Sequence, residues 1–142
     1  MDYRCLADEL VYSLYRSSKS PFQKTQRDVS QGEIAILVYL NLVCDGITSG
    51  DISKFLKITT GRVATALNSL EKKQWIERRS DESDKRKVLV YITDAGREVA
   101  TEKHEAAMAE VVKVLRALGD DDAAELVRIV KRIIAITDAA HA

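Results

Sequence analysis

The stretch that decides the fold runs from residue 48 to residue 92 and reads TSGDISKFLKITTGRVATALNSLEKKQWIERRSDESDKRKVLVYI. Thr48 and Asp51 have the spacing of a capping box, which predicts the start of a short helix. Thr59 offers the N-cap of a second, longer helix that ends near Lys73. About three residues separate the two helices, which is the length of a helix-turn-helix connection.

Two β-prone runs follow the second helix. Trp75 and Ile76 begin one run, residues 88–92 form the other, and the polar segment 80–87 lies between them. This pattern predicts an antiparallel hairpin with a long tip. The tip and its approach carry five basic residues, namely Arg78, Arg79, Lys85, Arg86 and Lys87. The order of helix, helix and basic hairpin predicts a winged helix-turn-helix, in a chain that is mainly α with one small β-hairpin.

The second helix has an apolar face and a polar face. Val63, Leu67 and Leu70 share the apolar side, which is expected to pack inward. The helix start and the opposite side carry small, polar or basic residues suited to DNA phosphates and base edges. These candidate DNA-binding residues are Thr59, Thr60, Gly61, Arg62, Thr65, Asn68 and Lys72. The alternative for this face alone is the ordinary polar side of a surface helix.

Residues along this face are suited to different contacts. Gly61 allows the backbone to approach a phosphate at the helix N-terminus, where free N–H groups and the helix dipole attract an anion. Thr59 and Thr60 can donate hydrogen bonds to the same phosphates. In the major groove, Arg prefers guanine and Asn prefers adenine, which makes Arg62 and Asn68 candidates for base contacts.

The hairpin tip predicts a second DNA contact. An arginine at a wing tip can enter a narrow minor groove, where the negative potential of DNA is concentrated, and Arg86 is the candidate. Asp84 would repel DNA unless it had another task. Side chains two residues apart lie on one face of an extended strand, so a salt bridge from Asp84 that orients Arg86 explains the spacing. Lys87 completes the candidate set.

Helices are predicted on both sides of this region. Apolar residues recur every three or four positions over residues 2–18, and Ser18 to Asp28 has the composition of a linker. Ser30 and Glu33 have capping-box spacing and predict another helix start. Thr93 caps a long helix that Gly119 ends, and a last helix begins near Asp121.

Two apolar stripes mark these C-terminal helices. The stripes consist of Met108, Val111, Leu115 and Leu118, and of Leu126, Ile129, Val130, Ile133 and Ile136. The long helix extends further than a domain of this size can cover, so we expect residues 2–18 and 93–138 to form a homodimer. The alternative is that the stripes pack on the winged part, residues 30–92, of the same chain.

Composition sets the remaining limits. A chain of 142 residues with 46% apolar residues is expected to form one domain over residues 1–142. The formal net charge is zero, but residues 48–91 hold 10 Lys/Arg against 6 Asp/Glu, whereas both flanks are slightly acidic. A basic centre suits local phosphate attraction. No signal-peptide pattern or membrane-length apolar run occurs, so we expect a cytoplasmic protein with thiols at Cys5 and Cys44.

Residues 30–98 resemble the multiple-antibiotic-resistance-regulator (MarR) family of bacterial transcription factors. The resemblance consists of Leu-Glu-Lys-Lys at residues 70–73, Asp-x-x-Asp-x-Arg at residues 81–86 and Thr-x-x-Gly at residues 93–96. It implies a dimer that binds a pseudopalindromic promoter site, usually as a repressor released by a small ligand or an oxidant. The family's wing arginine corresponds to Arg86, and its orienting aspartate corresponds to Asp84.

Two positions depart from the family pattern. Gln74 stands where the family commonly has Gly after Leu-Glu-Lys-Lys, and a left-handed conformation there costs on the order of 1 kcal/mol relative to Gly. Val11 stands where peroxide-sensing members have a reactive Cys. Oxidation of this helix by the same route is therefore not expected.

Other classes of function fit less well. His104 and His141 have no paired Cys or carboxylate at a catalytic or metal-ligand spacing, and no Gly-rich phosphate loop occurs, so neither an enzyme nor a cofactor is expected. The remaining alternative is a winged-helix module that binds other proteins without direct DNA binding. Such a module does not need a net-basic wing tip.

Overall fold

A computed structural model describes residues 1–16 and 29–140. The linker predicted between Ser18 and Asp28 lies outside the described residues, as does His141. The elements are α1 (Tyr3–Arg16), α2 (Val29–Leu42), α3 (Ser49–Leu56), α4 (Thr60–Lys72), β1 (Ile76–Ser80), β2 (Val88–Ile92), α5 (Asp94–Leu118) and α6 (Asp120–Ala140). The predicted class, mainly α with a small β-hairpin, is confirmed.

The described residues form two compact units. The winged unit comprises residues 29–103, and the helical unit comprises residues 1–16 and 104–140. Helix α5 contributes its first part to the winged unit and its remainder to the helical unit. No helix among the described residues is long and apolar enough to cross a membrane.

The helix-turn-helix forms as the capping residues predict. Thr48 and Asp51 make both bonds of the capping box, because the Asp51 N–H donates to Thr48 Oγ1 and the Thr48 N–H donates to Asp51 Oδ2. Helix α3 ends at Leu56, and its C-cap residue Lys57 has a left-handed φ of 55°. Thr59 then caps α4 by accepting a hydrogen bond from the Arg62 N–H. Local side chains therefore define both ends of the connection.

The core of the winged unit joins α2, α3, α4 and the hairpin. Its fully buried large side chains include Ile36, Leu37 and Leu40 of α2, Ile52 of α3, Leu67 and Leu70 of α4, Ile76 of β1 and Val90 of β2. The apolar face predicted for α4 packs into this core, since Val63, Leu67 and Leu70 are at most 1% exposed. Burial of this face turns the polar face of α4 toward solvent.

The hairpin pairs in a single antiparallel register. Ile76 pairs with Ile92 and Ser80 pairs with Val88, which leaves residues 81–87 as the tip. An additional bridge joins Ile47 to Val90. The wing is therefore attached to the segment that precedes α3 as well as to α4.

The segments that connect the hairpin to α4 and α5 contain two residues with special backbone requirements. Gln74 has a φ of 65°. The backbone therefore adopts the left-handed conformation that Gly favours, although Gln74 carries a side chain. Gly96, near the start of α5, lies so close to the Trp75 carbonyl that a Cβ built on it would be 2.1 Å from that oxygen. Thr93 caps α5 by accepting from the Gly96 N–H, as predicted.

Helix α2 lies where the Ser30–Glu33 spacing predicted a helix, and its described part begins at Val29. The Glu33 side chain is buried and accepts a hydrogen bond at 2.9 Å from Lys73 Nζ. Its carboxylate therefore stabilises the contact between α2 and the end of α4.

The helical unit has its own small core. Ala7, Met108, Leu115 and Ala123 form a fully buried cluster. Two ion pairs add to it: Arg4 binds both carboxylate oxygens of Glu105 at 2.7 and 2.8 Å, and Lys131 binds Glu9. These contacts tie α1 to α5 and α6.

The predicted apolar stripes divide between this core and the surface. Met108, Leu115 and Val130 are buried within the chain, so they are core residues of the helical unit. Val111 and Ile133 are half-buried. Leu118, Leu126, Ile129 and Ile136 are exposed, as is Val114. We call the residues Leu126, Ile129, Ile133 and Ile136 the α6 stripe.

Candidate nucleic-acid interface

The predicted face of α4 lies at the surface of the winged unit. All seven candidates are exposed: Thr59, Thr60, Gly61, Arg62, Thr65, Asn68 and Lys72. A Cβ added to Gly61 would meet no atom within 4 Å, so the backbone of the first turn is open to an approaching group. The free N–H groups of this turn form the positive end of the helix dipole. The face and the helix start are therefore sterically accessible to DNA.

Intramolecular hydrogen bonds limit what two threonines can offer. Thr59 Oγ1 accepts from the Arg62 N–H, which leaves its hydroxyl hydrogen available to donate to a phosphate. Thr65 Oγ1 donates to the Gly61 carbonyl at 3.1 Å, so it presents an acceptor and a methyl group outward. Thr59 is suited to an anion, whereas Thr65 is suited to a base edge.

Asn68 is engaged by a residue from the wing. Arg78 Nη2 donates to Asn68 Oδ1 at 2.7 Å. The same guanidinium donates to both oxygens of Glu71, from Nε at 3.1 Å and from Nη2 at 3.2 Å. Arg78 lies on β1, so this cluster ties the hairpin to the exposed side of α4.

The wing tip is an ordered turn. The Asp81 N–H donates to the Lys87 carbonyl and the Lys87 N–H donates to the Asp84 carbonyl, both at 2.9 Å. Asp81 Oδ1 accepts from the N–H and the hydroxyl of Ser83, and these two bonds lower the pKa of Asp81. The tip thus has a defined conformation outside the strand ladder.

Arg86 forms an ion pair within this turn and remains highly exposed. Its side chain is 92% exposed, and both its backbone N–H and its Nε donate to Asp84 Oδ1 at 3.1 Å. The predicted contact between Asp84 and Arg86 is present. Asp84 accepts from Nε, so the two terminal nitrogens of Arg86 extend into solvent.

Three acidic side chains near this surface are paired with basic residues. Glu71 binds Arg78, Glu77 binds Arg79, and Asp84 binds Arg86. Arg79 also stacks on Tyr91, with its guanidinium carbon 4.6 Å from the ring centroid. Each of these pairs also cancels one basic charge, and residues 48–91 keep an excess of basic over acidic residues, 10 Lys/Arg against 6 Asp/Glu.

A contact between the buried Glu33 of α2 and Lys73 stabilises the C-terminal end of α4. Burial alone would raise the pKa of Glu33, but hydrogen bonds from Ser69 and Lys73 outweigh it, so the pKa of Glu33 is lowered. Lys73 also lies over the ring of Trp75, with Nζ 5.0 Å from the centroid. The C-terminal end of α4 is held in place by these contacts.

Sequence reasoning missed the role of Arg78. The sequence pattern groups it with the basic residues of the tip, yet its side chain turns back onto α4. The ten-residue separation from Asn68 follows no local spacing rule, so only the folded hairpin reveals the contact. Among the described residues, no group of three or more His, Cys, Asp or Glu side chains is arranged to hold a metal ion.

A helix-turn-helix with an exposed polar second helix and a basic hairpin defines a winged helix-turn-helix protein. Residues 29–88 match the family model described as "MarR family". Residues 29–88 therefore form a DNA-binding domain of MarR type, and the chain is a DNA-binding transcriptional regulator. None of the curated proteins matches it.

Solved structures of other proteins share this fold. FabT of Streptococcus pneumoniae, in complex with DNA, has a TM-score of 0.66 and 24% identity, covering 92% of this chain and 88% of FabT. The transcriptional regulator BldR of Sulfolobus solfataricus has a TM-score of 0.60 and 24% identity, covering 74% of this chain and 73% of BldR. A mutant form of MepR from S. aureus has a TM-score of 0.57 and 27% identity, covering 69% of this chain and 72% of MepR.

Proposed function

We propose that this regulator is a homodimeric repressor that binds a pseudopalindromic operator and is released by a small-molecule ligand. The observation that carries the DNA-binding part is the exposed face of α4 together with the highly exposed Arg86 held by Asp84. Similarity to FabT, whose solved structure contains DNA, supports the same mode of binding. A regulator of this kind acts on DNA in the cytoplasm.

The DNA contacts divide between two grooves. Helix α4 enters the major groove, where Arg62, Thr65 and Asn68 meet base edges. The start of α4, with Thr59, Thr60 and Gly61, binds backbone phosphate, and Lys72 adds a phosphate contact at its other end. In the minor groove, Arg86 is inserted, Asp84 orients it, and Lys87 binds the adjacent backbone.

Dimerisation is supported by apolar side chains that the chain leaves uncovered. Leu126, Ile129 and Ile136 are 37%, 42% and 61% exposed and lie along one side of α6. Val114 and Leu118 of α5 are also exposed, at 58% and 42%. Exposed large apolar residues at helical spacing are typical of helix-pairing surfaces. Two copies joined here present two α4 helices to adjacent half-sites.

A titration with operator DNA selected from a randomised library tests the proposal against a module that binds only other proteins. We expect binding that weakens steeply with salt, because each neutralised phosphate releases a counterion. Arg86→Ala should weaken it by roughly 1–3 kcal/mol and leave the dimer intact. Failure to select any DNA sequence would reject the proposed operator binding, and unchanged affinity of the Arg86 variant would remove Arg86 from the interface.

A further inference from the structure

The hairpin is attached to the core of the winged unit at its base. Residues that pair directly across the two strands have their side chains on the same face, and the buried Ile76 and Ile92 form the first pair of the inward face. Arg78 and Val90 form the next pair on this face, and Val90 is 1% exposed. In the pair after that, Val88 is 47% exposed. Burial of the inward face therefore ends at the pair of Arg78 and Val90.

Backbone hydrogen bonds between β2 and the segment before α3 occur at the same level. The Val90 N–H donates to the Ile47 carbonyl at 2.7 Å, and the Gly46 N–H donates to the Val90 carbonyl at 3.0 Å. Beyond this level the hairpin continues for two residue pairs and then the tip, residues 81–87. Two pairs correspond to about 7 Å of strand. Because a two-stranded hairpin is only marginally stable by itself, the direction of this outer part depends on how its base is held.

Arg78 connects this level of the hairpin to α4. Its side chain is 28% exposed, and Nε donates to Glu71 at 3.1 Å. Nη2 donates to Asn68 at 2.7 Å and to the other carboxylate oxygen of Glu71 at 3.2 Å. Asn68 and Glu71 are three residues apart, so they are neighbours on the helix surface and one guanidinium bridges them. A planar group bound to two side chains restricts rotation of the hairpin about its base more than a single hydrogen bond would.

The next residue of the same strand, Arg79, has different partners. It pairs with Leu89 on the opposite face of the hairpin, forms an ion pair with Glu77, and lies over the ring of Tyr91. These partners belong to the hairpin itself, whereas those of Arg78 belong to α4. Arg79 is therefore a matched control that carries the same charge.

We propose that Arg78, held by Glu71 and Asn68, is a positioning residue that fixes the direction of the wing relative to α4. When the wing is held in this way, insertion of α4 into the major groove brings Arg86 to the minor groove, so that the two contacts form together. The inference rests on the proposed function, because it requires both α4 and Arg86 to bind DNA. Arg78 acts through Arg86 and needs no DNA contact of its own.

A double-mutant cycle between Arg78 and Arg86 tests this role. The full-length wild type, Arg78→Ala, Arg86→Ala and the double variant are titrated by fluorescence anisotropy with an operator selected from a randomised duplex library. Each single variant should bind at least about fivefold more weakly than the wild type. The double variant should bind within about twofold of Arg86→Ala, because a wing without its arginine gains nothing from being held in place.

Base preferences provide a second measurement, which a general loss of folded protein would not change. Each operator position is altered in turn, and the positions at which Arg86→Ala relaxes the preference define the site of the wing, since the width of the minor groove depends on sequence. Arg78→Ala should relax the preference at these same positions. It should retain the preferences that Arg62→Ala removes.

Two further variants separate positioning from charge. Arg78→Lys keeps the charge but lacks the planar group that bridges two side chains, so it should weaken binding in the same way as Arg78→Ala. It also serves if circular dichroism shows that the alanine variant does not fold. Arg79→Ala removes the same charge from the next residue. Its effect should be smaller than that of Arg78→Ala and should multiply with that of Arg86→Ala.

The outcomes distinguish this inference from the proposed function. Multiplied losses in the double variant, unchanged affinity of Arg78→Ala or of Arg86→Ala, wild-type binding by Arg78→Lys, or an equal loss in Arg79→Ala would each overturn the positioning role. In all of these cases the wild type still binds its operator specifically. Absence of any salt-dependent, sequence-specific binding by the wild type would instead reject the proposed function itself.

Discussion

Asp84 places a negative charge at the tip of a wing that is proposed to bind DNA. The effect of replacing Asp84 distinguishes repulsion of DNA from orientation of Arg86. If charge alone mattered, Asp84→Ala would strengthen binding by removing a repulsive group. Because Asp84 accepts from both the backbone N–H and Nε of Arg86, we expect the variant to bind operator several-fold more weakly. Affinity measured over a range of salt concentrations tests this prediction.

A neighbouring residue provides the control for this charge change. Glu82 is an exposed acidic residue of the same tip. Glu82→Ala alters the net charge by the same amount and should leave affinity unchanged or slightly improved. Equal strengthening in the Asp84 and Glu82 variants would show that Asp84 acts only through its charge.

Individual residues differ in how well sequence predicts them. The contact between Asp84 and Arg86 was predicted from the spacing of an extended strand, but it forms in the turn of the tip, where residues two apart are also close. The orientation of Asn68 was not predicted, because it depends on the hairpin bringing Arg78 onto α4.

At the scale of elements, Gly96 determines how closely α5 approaches the end of α4. A Cβ at this position would lie 2.1 Å from the Trp75 carbonyl oxygen, so Gly96→Ala should destabilise the protein by roughly 2–3 kcal/mol or more. Chemical denaturation followed by circular dichroism measures the change. Gly61→Ala is the control, because its Cβ meets nothing within 4 Å and alanine should stabilise the helix by about 0.5–1 kcal/mol. A stable Gly96 variant would contradict the close approach.

The contact between α2 and α4 predicts a pH dependence of stability. The pKa of Glu33 is lowered on folding from its usual 4.5, so its contribution is present above the unfolded-state pKa and is lost as the pH falls through the folded-state pKa. Glu33→Gln should cost on the order of 1 kcal/mol at neutral pH. The difference from wild type should shrink in acid. Unfolding measured from neutral pH down to about pH 3 tests this, and a difference independent of pH would contradict it.

Elements were predictable where their signals are local. The caps at Thr48, Thr59 and Thr93 and the stop at Gly119 involve neighbours within a few residues, and all four are present. In α2 the capping-box spacing does not reveal that the Glu33 carboxylate forms a tertiary ion pair with Lys73. Spacing shows what a side chain can bind locally, and burial decides which partner it has.

At the scale of the whole molecule, the C-terminal helices also show that sequence spacing does not reveal which side chains are buried. Hydrophobic periodicity identified apolar stripes but could not separate core from surface. Leu115 is 1% exposed and packs in the helical unit, so a charge there would test folding. The α6 stripe is the better probe of assembly.

Ile129→Glu tests whether two copies of the chain associate through the α6 stripe. Placing a charge in an apolar interface should raise the dissociation constant of the dimer by at least about tenfold and weaken binding to a complete operator. Analytical ultracentrifugation and anisotropy measure the two effects. Ala135→Glu changes an exposed α6 residue outside the stripe and should alter neither. A monomeric Ile129 variant that binds the complete operator with wild-type affinity would exclude a role of dimerisation in operator binding.

Trp75, whose carbonyl oxygen limits the size of residue 96, is also the only tryptophan in the chain. Its indole is half-buried at the junction of α4 and β1, beneath the Lys73 ammonium. Intrinsic emission from the tryptophan therefore originates at one place, between the two elements proposed to enter the DNA grooves. The protein carries its own optical reporter, and displacement of Lys73 by a nearby phosphate would change the fluorescence of unlabelled protein.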